Sequence, residues 1–382
     1  MALVFSSRRR SGMHVIVVGG GIGGLSAAIA LRKRGHAVDV LERAPELDAV
    51  GAGLTLFGNA MHALRRLGVG DAVASEGAAV RYSALLDMSG RELASIPEDL
   101  IADARAVHRA DLQRLLADAA GEILLDHDVI AVEAQDGGVI ARTRTGVAVS
   151  GDLLVAADGV HSAIRRTIGC APPRYAGYTV WRGVAQVPIE LGRLTESWGI
   201  GERFGLVDIG AGRTYWFATK NAPQGEPHGL HSVQQSEILK RYSSWHSPIA
   251  AVIEATEPAR ILRNDVYDLG PLRQWSSGRI VLLGDAAHAT TPGIGQGAAM
   301  AIEDAVVLAE QLSHHDSVAD ALKAYEASRR PRTQTVLKQS RQIDQAAQLQ
   351  NRLGCRLRNI VIAAAPAGLR RRQLAPIVLD HV

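Results

Sequence analysis

Three glycines spaced Gly19-x-Gly21-x-x-Gly24, an acid at Glu42, and a run of small residues around Asp285 are the parts of this 382-residue chain whose spacing suits chemistry. Each glycine has a mechanical job. Gly19 permits a tight turn, Gly21 lets a pyrophosphate approach the backbone, and Gly24 lets helix and strand pack closely. The helix that follows offers N–H groups and a positive dipole end to phosphate, and Glu42 accepts hydrogen bonds from a ribose that carries no phosphate. This fingerprint alone does not choose between NAD and FAD. The second run, "LLGDAAHATTPGIGQGAAMA", gives up side-chain packing over many residues, so something other than side chains presses against it. A third stretch, "ADGVHSAIR", sets Asp158 and Gly159 at the end of an apolar strand; taken by itself it reads equally as a turn and a helix cap.

The elements that position these residues are legible from pattern. Residues 13–43 read as strand "MHVIVV", glycine turn, helix and strand "AVDVLER", an α/β unit with a parallel sheet. Helical spacing recurs at Ala60–Leu67, Arg109–Ala120, 234–256, from about Gln296 onward, and through the tail from about 320. Between Arg174 and Thr219 the text changes to aromatic and β-branched strands such as "YTVWRGVAQVP" and "RTYWFATK", which predicts a mostly antiparallel sheet inserted between two halves of the α/β part. The expected organisation is an extension over 1–12, a dinucleotide-binding part over 13–79, 100–173 and 262–345, a substrate part over 80–99 and 174–261, and a helical tail over 346–382.

Bulk composition excludes several classes. With 47% hydrophobic and 21% charged residues the chain reads as globular, and a net charge of +3 without a long basic block argues against nucleic acid as a partner. Cys170 and Cys355 match no metal or redox spacing and fit a reducing compartment. No stretch has the roughly 18 apolar residues of a membrane span. A cytoplasmic location is the expectation.

The order and spacing of "VGGGIGGLSAAIAL…LER", "HRADLQRLL", "ADGVHSAIRR" and "GDAAHATTPGIGQGAAMAIEDA" resemble the class A flavin-dependent aromatic monooxygenases typified by p-hydroxybenzoate hydroxylase, over nearly the whole chain from Met13 to about Arg330. The resemblance implies a Rossmann-type FAD-binding domain with an inserted β-sheet substrate domain and C-terminal helices. It implies that Glu42 and Arg43 meet the adenosine end of FAD, Arg109 and Gln113 its phosphate or ribityl region, and that Asp158 lies near it with Arg165 holding that loop. Asp285 is then the ligand of the ribityl chain. The backbone from Gly293 to Ala298 lies against the isoalloxazine, with amides near Gly295, Gln296 and Gly297 facing its N1–C2=O edge and Pro292 over its reacting edge. The reaction implied is NAD(P)H- and O₂-dependent hydroxylation of an aromatic ring through a flavin C4a-hydroperoxide. With no second glycine fingerprint, NADH or NADPH docks transiently.

On the substrate side the candidates are Trp181 and Arg182, Arg203, and Tyr215; strand alternation sends Trp181 and Arg182 to opposite faces. Most of Trp181, Trp198, Trp216 and Phe217 are expected to pack the sheet. His288 is the titratable group nearest the flavin loop, read as a proton-transfer candidate against a loop-stabilising hydrogen bond. FAD-dependent urate hydroxylases are similar at Arg203, Tyr215 and "RYAGY", but carry Asn after the Trp where this chain has Arg182, which puts urate in doubt. 2-Alkyl-4-quinolone 3-hydroxylases are similar in "WR", "GLTLFGNA" and the basic tail, and salicylate hydroxylases share the general pattern. A hydrophobic aromatic or heteroaromatic substrate is the reading, with urate as the alternative. No tryptophan is followed by another two residues later, which argues against a halogenase; a flavin reductase or dehydrogenase and a non-catalytic flavoprotein are the readings from other classes. No metal site is expected, and monomer or homodimer stays open. The tail from Arg356 to Arg372, arginines around "IVIAAAPAG", reads as a helix covering the domain or a dimer contact, with a membrane surface as the alternative.

Overall fold

The computed structural model describes residues 12–47, 52–227 and 229–379; of the expected extension only Gly12 falls within them. In chain order, the elements used below begin with β1 (His14–Val18), α1 (Ile22–Lys33), β2 (Ala37–Leu41) and α2 (Gly58–Leu67). Then come β3 (Tyr82–Asp87), β4 (Glu92–Ser95), α3 (Arg109–Ala120), β5 (Ile123–Leu124) and β6 (Leu153–Ala156). The middle of the chain supplies β7 (Arg174–Ala185), β8 (Arg193–Trp198), β9 (Glu202–Asp208), β10 (Thr214–Asn221), α4 (His231–Tyr242), α5 (Ile249–Glu254) and β11 (Leu262–Asp268). The last part holds β12 (Ser276–Ser277), β13 (Ile280–Leu282), α6 (Asp285–His288), α7 (Gly297–His314), α8 (Val318–Ala347), α9 (Arg352–Ala364) and α10 (Ala367–Val378).

A six-stranded sheet in the order β12-β13-β6-β1-β2-β5 carries the first layer. Its central strands, "VIVV", "LLVA" and "IVL", are apolar without alternation because both faces are covered, one by α1 and α7 and the other by a three-stranded antiparallel sheet over residues 129–151, and their pairings are parallel. Strand order reverses around β1, whose neighbours are β2 and β6, so the crevice at the carboxyl ends of β1, β6 and β13 is where an open α/β sheet takes a ligand. Helix α1 lies against α7 over this sheet.

The second sheet has seven strands in the order β11-β7-β10-β9-β8-β3-β4, antiparallel except where β8 runs parallel to β3. Period-two alternation divides its residues cleanly. Trp181, Phe204, Leu206 and Trp216 face α4 and α5 in one cluster, while Arg182, Val184, Tyr215, Phe217, Arg203 and Val207 share the opposite face, toward the first domain.

Two expectations are corrected. Leu262–Asp268, assigned from sequence to the dinucleotide-binding part, is an edge strand of the large sheet, antiparallel to β7; its polar "LRND" suits an edge, and the chain leaves the sheet only after Asp268. The single helix expected over 234–256 is two, α4 and α5, separated by Ser243–Pro248. The tail is three helices, with Asn351 and Pro366 starting the second and third.

Candidate active site

The glycine turn leaves β1 at Gly19, whose φ of +109° only glycine adopts freely, and a Cβ there would lie 2.4 Å from the Ala157 carbonyl oxygen. A Cβ on Gly24 would lie 1.8 Å from the Gly19 carbonyl oxygen, so α1 packs on the strand at a distance that admits only hydrogen. Gly21 is the opposite case. Nothing stands within 4 Å of its would-be Cβ, and it caps α1 with no side-chain hydrogen bond, which leaves the first-turn amides available to an anion. Glu42 reaches back over this turn. Its Oε2 accepts from Gly20 N at 2.6 Å and its Oε1 from Ala44 N at 2.9 Å. From α3, Gln113 Nε2 donates to the Gly20 carbonyl at 2.9 Å, while Arg109 and Arg43 stand exposed on either side.

The neighbouring strand ends supply polar groups without partners. After β6, Asp158 Oδ2 accepts from Ile164 N at 3.3 Å, but its Oδ1 is buried and unpaired. Arg165, fully buried, donates to the Val160 and Ala286 carbonyls and so ties the Asp158 loop to α6; burial lowers its pKa. After β13 the chain turns at Gly284 (φ +61°), and Asp285 stands exposed while the residues before and after it are buried. Pro292 is exposed, Gly295 has φ +65°, and α7 starts at Gly297 with no capping side chain. Asp285 Oδ1 is 3.9 Å from the would-be Cβ of Gly297, so the acid and the bare helix start face the same space. Thr290 Oγ1 and Gln296 Nε2 are also buried without partners. Two uncapped helix N-termini, an exposed acid and these orphaned donors and acceptors match the pyrophosphate, polyol chain and polar ring edge of FAD.

Beneath the loop lies a charged network that the sequence reading missed. Asp304 and Glu303 on α7 are fully buried; Arg329 of α8 donates to both, at 2.7 Å each, and Arg332 adds a second cation to Glu303. Glu303 also accepts from Asn59 of α2, which donates in turn to Gln296 Oε1. Burial pushes the Asp304 carboxyl up, but His288 and Arg329 outweigh it and bring its pKa down to about 2. The same balance, with Arg332 and Arg329 as the cations, lowers Glu303. The signal was present in "AIEDA" and "RRPRT", but nothing in either run says that they meet.

His288 belongs to this network, which favours the loop-stabilising hydrogen bond over the proton-transfer role for it. It is 2% exposed, its Nε2 is 2.5 Å from Asp304 Oδ2, and its ring packs on Trp275. Asp304 Oδ2 also accepts from Gly284 N at 3.1 Å, so the pair fixes the turn before Asp285 from below.

On the sheet side, Tyr215 lies over Gly53, where a Cβ would come 2.5 Å from its ring. Burial raises its pKa; a hydrogen bond from Arg182 and the nearby charges of Arg182 and Arg109 partly offset this. Around it are Phe57, Val207 and Met300, with Val184, Leu194, Phe217, Ile294 and Leu337 packed against them and each keeping some accessible surface. Ile377 and Val378 of α10 close this apolar cluster. Trp181, the neighbour of Arg182, is buried on the far face.

Arg203 is placed differently from the substrate contact expected of it. At 1% exposure it pairs with Asp344 at 2.7 Å and Glu196 at 3.2 Å and donates to Tyr178 Oη at 3.0 Å. Burial opposes its charge, but Asp344, Tyr178 and Glu196 outweigh that and raise its pKa. Asp344, from the end of α8, would lie 2.8 Å from a Cβ on Gly293, so the Arg203 pair braces the sheet against the Pro292–Gly295 loop. Ser340 Oγ adds a hydrogen bond to the Thr291 carbonyl at 2.6 Å.

Known proteins resemble this chain over most of its length. A family model described as "FAD binding domain" matches residues 12–340. An aurachin C monooxygenase/isomerase of Stigmatella aurantiaca is 44% identical over 359 residues, covering 91% of this chain and 93% of that protein. A FAD-dependent urate hydroxylase of Klebsiella pneumoniae is 36% identical over 342 residues, covering 86% and 89%. The crystal structure of Klebsiella pneumoniae HpxO with FAD and uric acid superposes with a TM-score of 0.89 at 31% identity, covering 96% of this chain and 97% of that one.

Proposed function

The chain belongs to the FAD-binding-domain family and is a FAD-dependent aromatic monooxygenase with NAD(P)H as electron donor, and we propose that its substrate is a hydrophobic heteroaromatic or salicylate-like ring rather than urate. FAD, when bound and reduced, supplies the activation of O₂ and the oxygen atom transferred to the ring. The residues that would hold it are Gly21 and the first turn of α1 at the pyrophosphate, Glu42 and Arg43 at the adenosine end, Arg109, Gln113, Asp158 and Asp285 along the chain, and the Gly295–Gly297 amides at the ring edge. Bare amides at the start of α7 favour negative charge on that edge.

One observation carries the substrate reading. The part of this sheet face around Tyr215 is apolar apart from Tyr215 and its partner Arg182, while the polar groups farther along it, Arg203, Tyr178 and Glu196, are already paired with one another and with Asp344. An electron-rich ring with a single polar edge fits: Phe217, Val184, Leu194, Ile294 and Leu337 exclude water, and Tyr215 Oη positions an oxygen on that edge. A purine with several polar edges would leave most of its hydrogen bonds unmade against this wall, at about 1–3 kcal/mol for each stranded group. Greater identity to the aurachin C enzyme than to the urate hydroxylase points the same way.

The test is NAD(P)H consumption by the FAD-loaded protein against 2-alkyl-4-quinolones, salicylate, hydroxybenzoates and urate, with product mass and peroxide followed together. We expect a quinolone or salicylate to accelerate oxidation and gain one oxygen atom. Coupled oxygenation of urate would overturn the substrate reading, and oxidation indifferent to every ring and to O₂ would favour a reductase.

A further inference from the structure

From Gln345 to Leu379 the chain carries six arginines and no aspartate or glutamate. Helix α9 lies in this stretch and has two unlike faces. The inner face is anchored: Cys355 is buried, and Arg358 donates to the Ala346 and Gly199 carbonyls while stacking 5.2 Å over Trp198. The outer face carries Leu353, Leu357, Ile360 and Val361, between 60% and 75% exposed and spaced i, i+4, i+7, i+8 along one stripe. Leu369, just beyond, is 48% exposed. These are five of the twelve exposed large apolar side chains among the described residues, gathered within 17 positions. Arg352 and Arg356 stand exposed beside the stripe and Arg372 beyond it, with no carboxylate paired to any of them among the described residues.

We propose that α9 is an interfacial helix that docks the enzyme on an anionic phospholipid surface, its leucine–isoleucine–valine stripe entering the acyl boundary and Arg352, Arg356 and Arg372 meeting the headgroups. The helix has 13 residues, about 20 Å at 1.5 Å per residue, so it lies on a bilayer and does not cross it. Among the described residues no helix is long and apolar enough to span one. Charge decides between lipid and a second copy of the chain. A twofold contact through this stripe would set the arginines of α9 against their own copies with no acid in the segment to answer them, whereas anionic headgroups supply that charge. The inference does not depend on the substrate reading, and its test reads no turnover.

The experiment is flotation of the full-length, FAD-loaded protein with phosphatidylcholine vesicles containing or lacking one-quarter phosphatidylglycerol, beside its sedimentation mass without lipid. We expect flotation with the anionic vesicles only. It should fall to background in Leu357→Glu/Ile360→Glu, and about 25-fold in Arg352→Gln/Arg356→Gln at roughly fivefold per arginine. All four positions are exposed, and retained flavin absorbance checks that each variant is folded. No flotation, equal flotation on phosphatidylcholine alone, or variants that float like the parent would overturn the proposal. So would a homodimer that Leu357→Glu/Ile360→Glu converts to monomer, which would make the stripe a contact between copies.

Discussion

Replacing Asp304 by Asn tests whether the buried network, rather than the loop sequence itself, holds the FAD-binding loop in place. The carboxylate accepts from three donors: Arg329 Nε at 2.7 Å, His288 Nε2 at 2.5 Å and Gly284 N at 3.1 Å. An amide of the same shape has one acceptor oxygen and turns an NH₂ toward the remaining donors, so at least one buried N–H loses its partner, at about 1–3 kcal/mol. The change also removes one of two carboxylates that balance Arg329 and Arg332, leaving a buried cluster with an uncompensated positive charge; broken buried pairs cost about 3–5 kcal/mol. We expect a loss near that range by urea unfolding at neutral pH, together with weaker FAD binding because Gly284 is released. The pH dependence gives an independent check. Asp304 has its pKa depressed from 3.8 to about 2 by folding, so its contribution is complete above about pH 4 and disappears as pH falls toward 2. A shift of that size is worth about 2 kcal/mol, and the variant should lack this part of the acid limb. A loss below about 1 kcal/mol, with unchanged FAD affinity and an unchanged acid limb, would refute the reasoning.

Three further predictions concern the turn and the sheet. Gly24→Ala should fail to fold or lose most of its stability, since its methyl would overlap the Gly19 carbonyl; Gly21→Ala, with open space around it, should fold normally and lose FAD affinity, read by flavin fluorescence titration. Tyr215→Phe should keep its flavin and Tm but lower kcat/KM about 10- to 100-fold for the preferred ring, as for one charge-assisted hydrogen bond. Arg203→Gln should instead act on stability, by about 3 kcal/mol or more because it strands Asp344, seen as a lower urea midpoint before any change in substrate preference.

What could be read in the sequence was what local pattern encodes. The glycine turn, β1, α3 and the start of α7 are each specified within a dozen residues, by steric demands that only certain side chains meet. Alternation placed Trp181 and Arg182 on opposite faces for the same reason. The network was out of reach because Asn59 and Glu303 lie 244 positions apart, and no period or cap relates them. For His288 the sequence left two roles open, proton transfer or a loop-stabilising hydrogen bond; its direction depends on Asp304, one helix later. Arg203 was read from its strand, but its charge is settled by Asp344, which arrives on α8 from the far end of the chain. Strand β11 was misassigned because an edge strand with polar residues has little alternation to read.

Helix α8 touches all of these in turn: Arg329 at the network, Ser340 at Thr291, and Asp344 at Arg203. A single helix therefore sets the height of the gap between sheet and loop, as a spacer does between two plates. That height is fixed by the protein's own ion pairs before any ring enters. Accommodating a different substrate would then mean re-lining the two walls with other side chains, because widening the gap would break a buried charge pair.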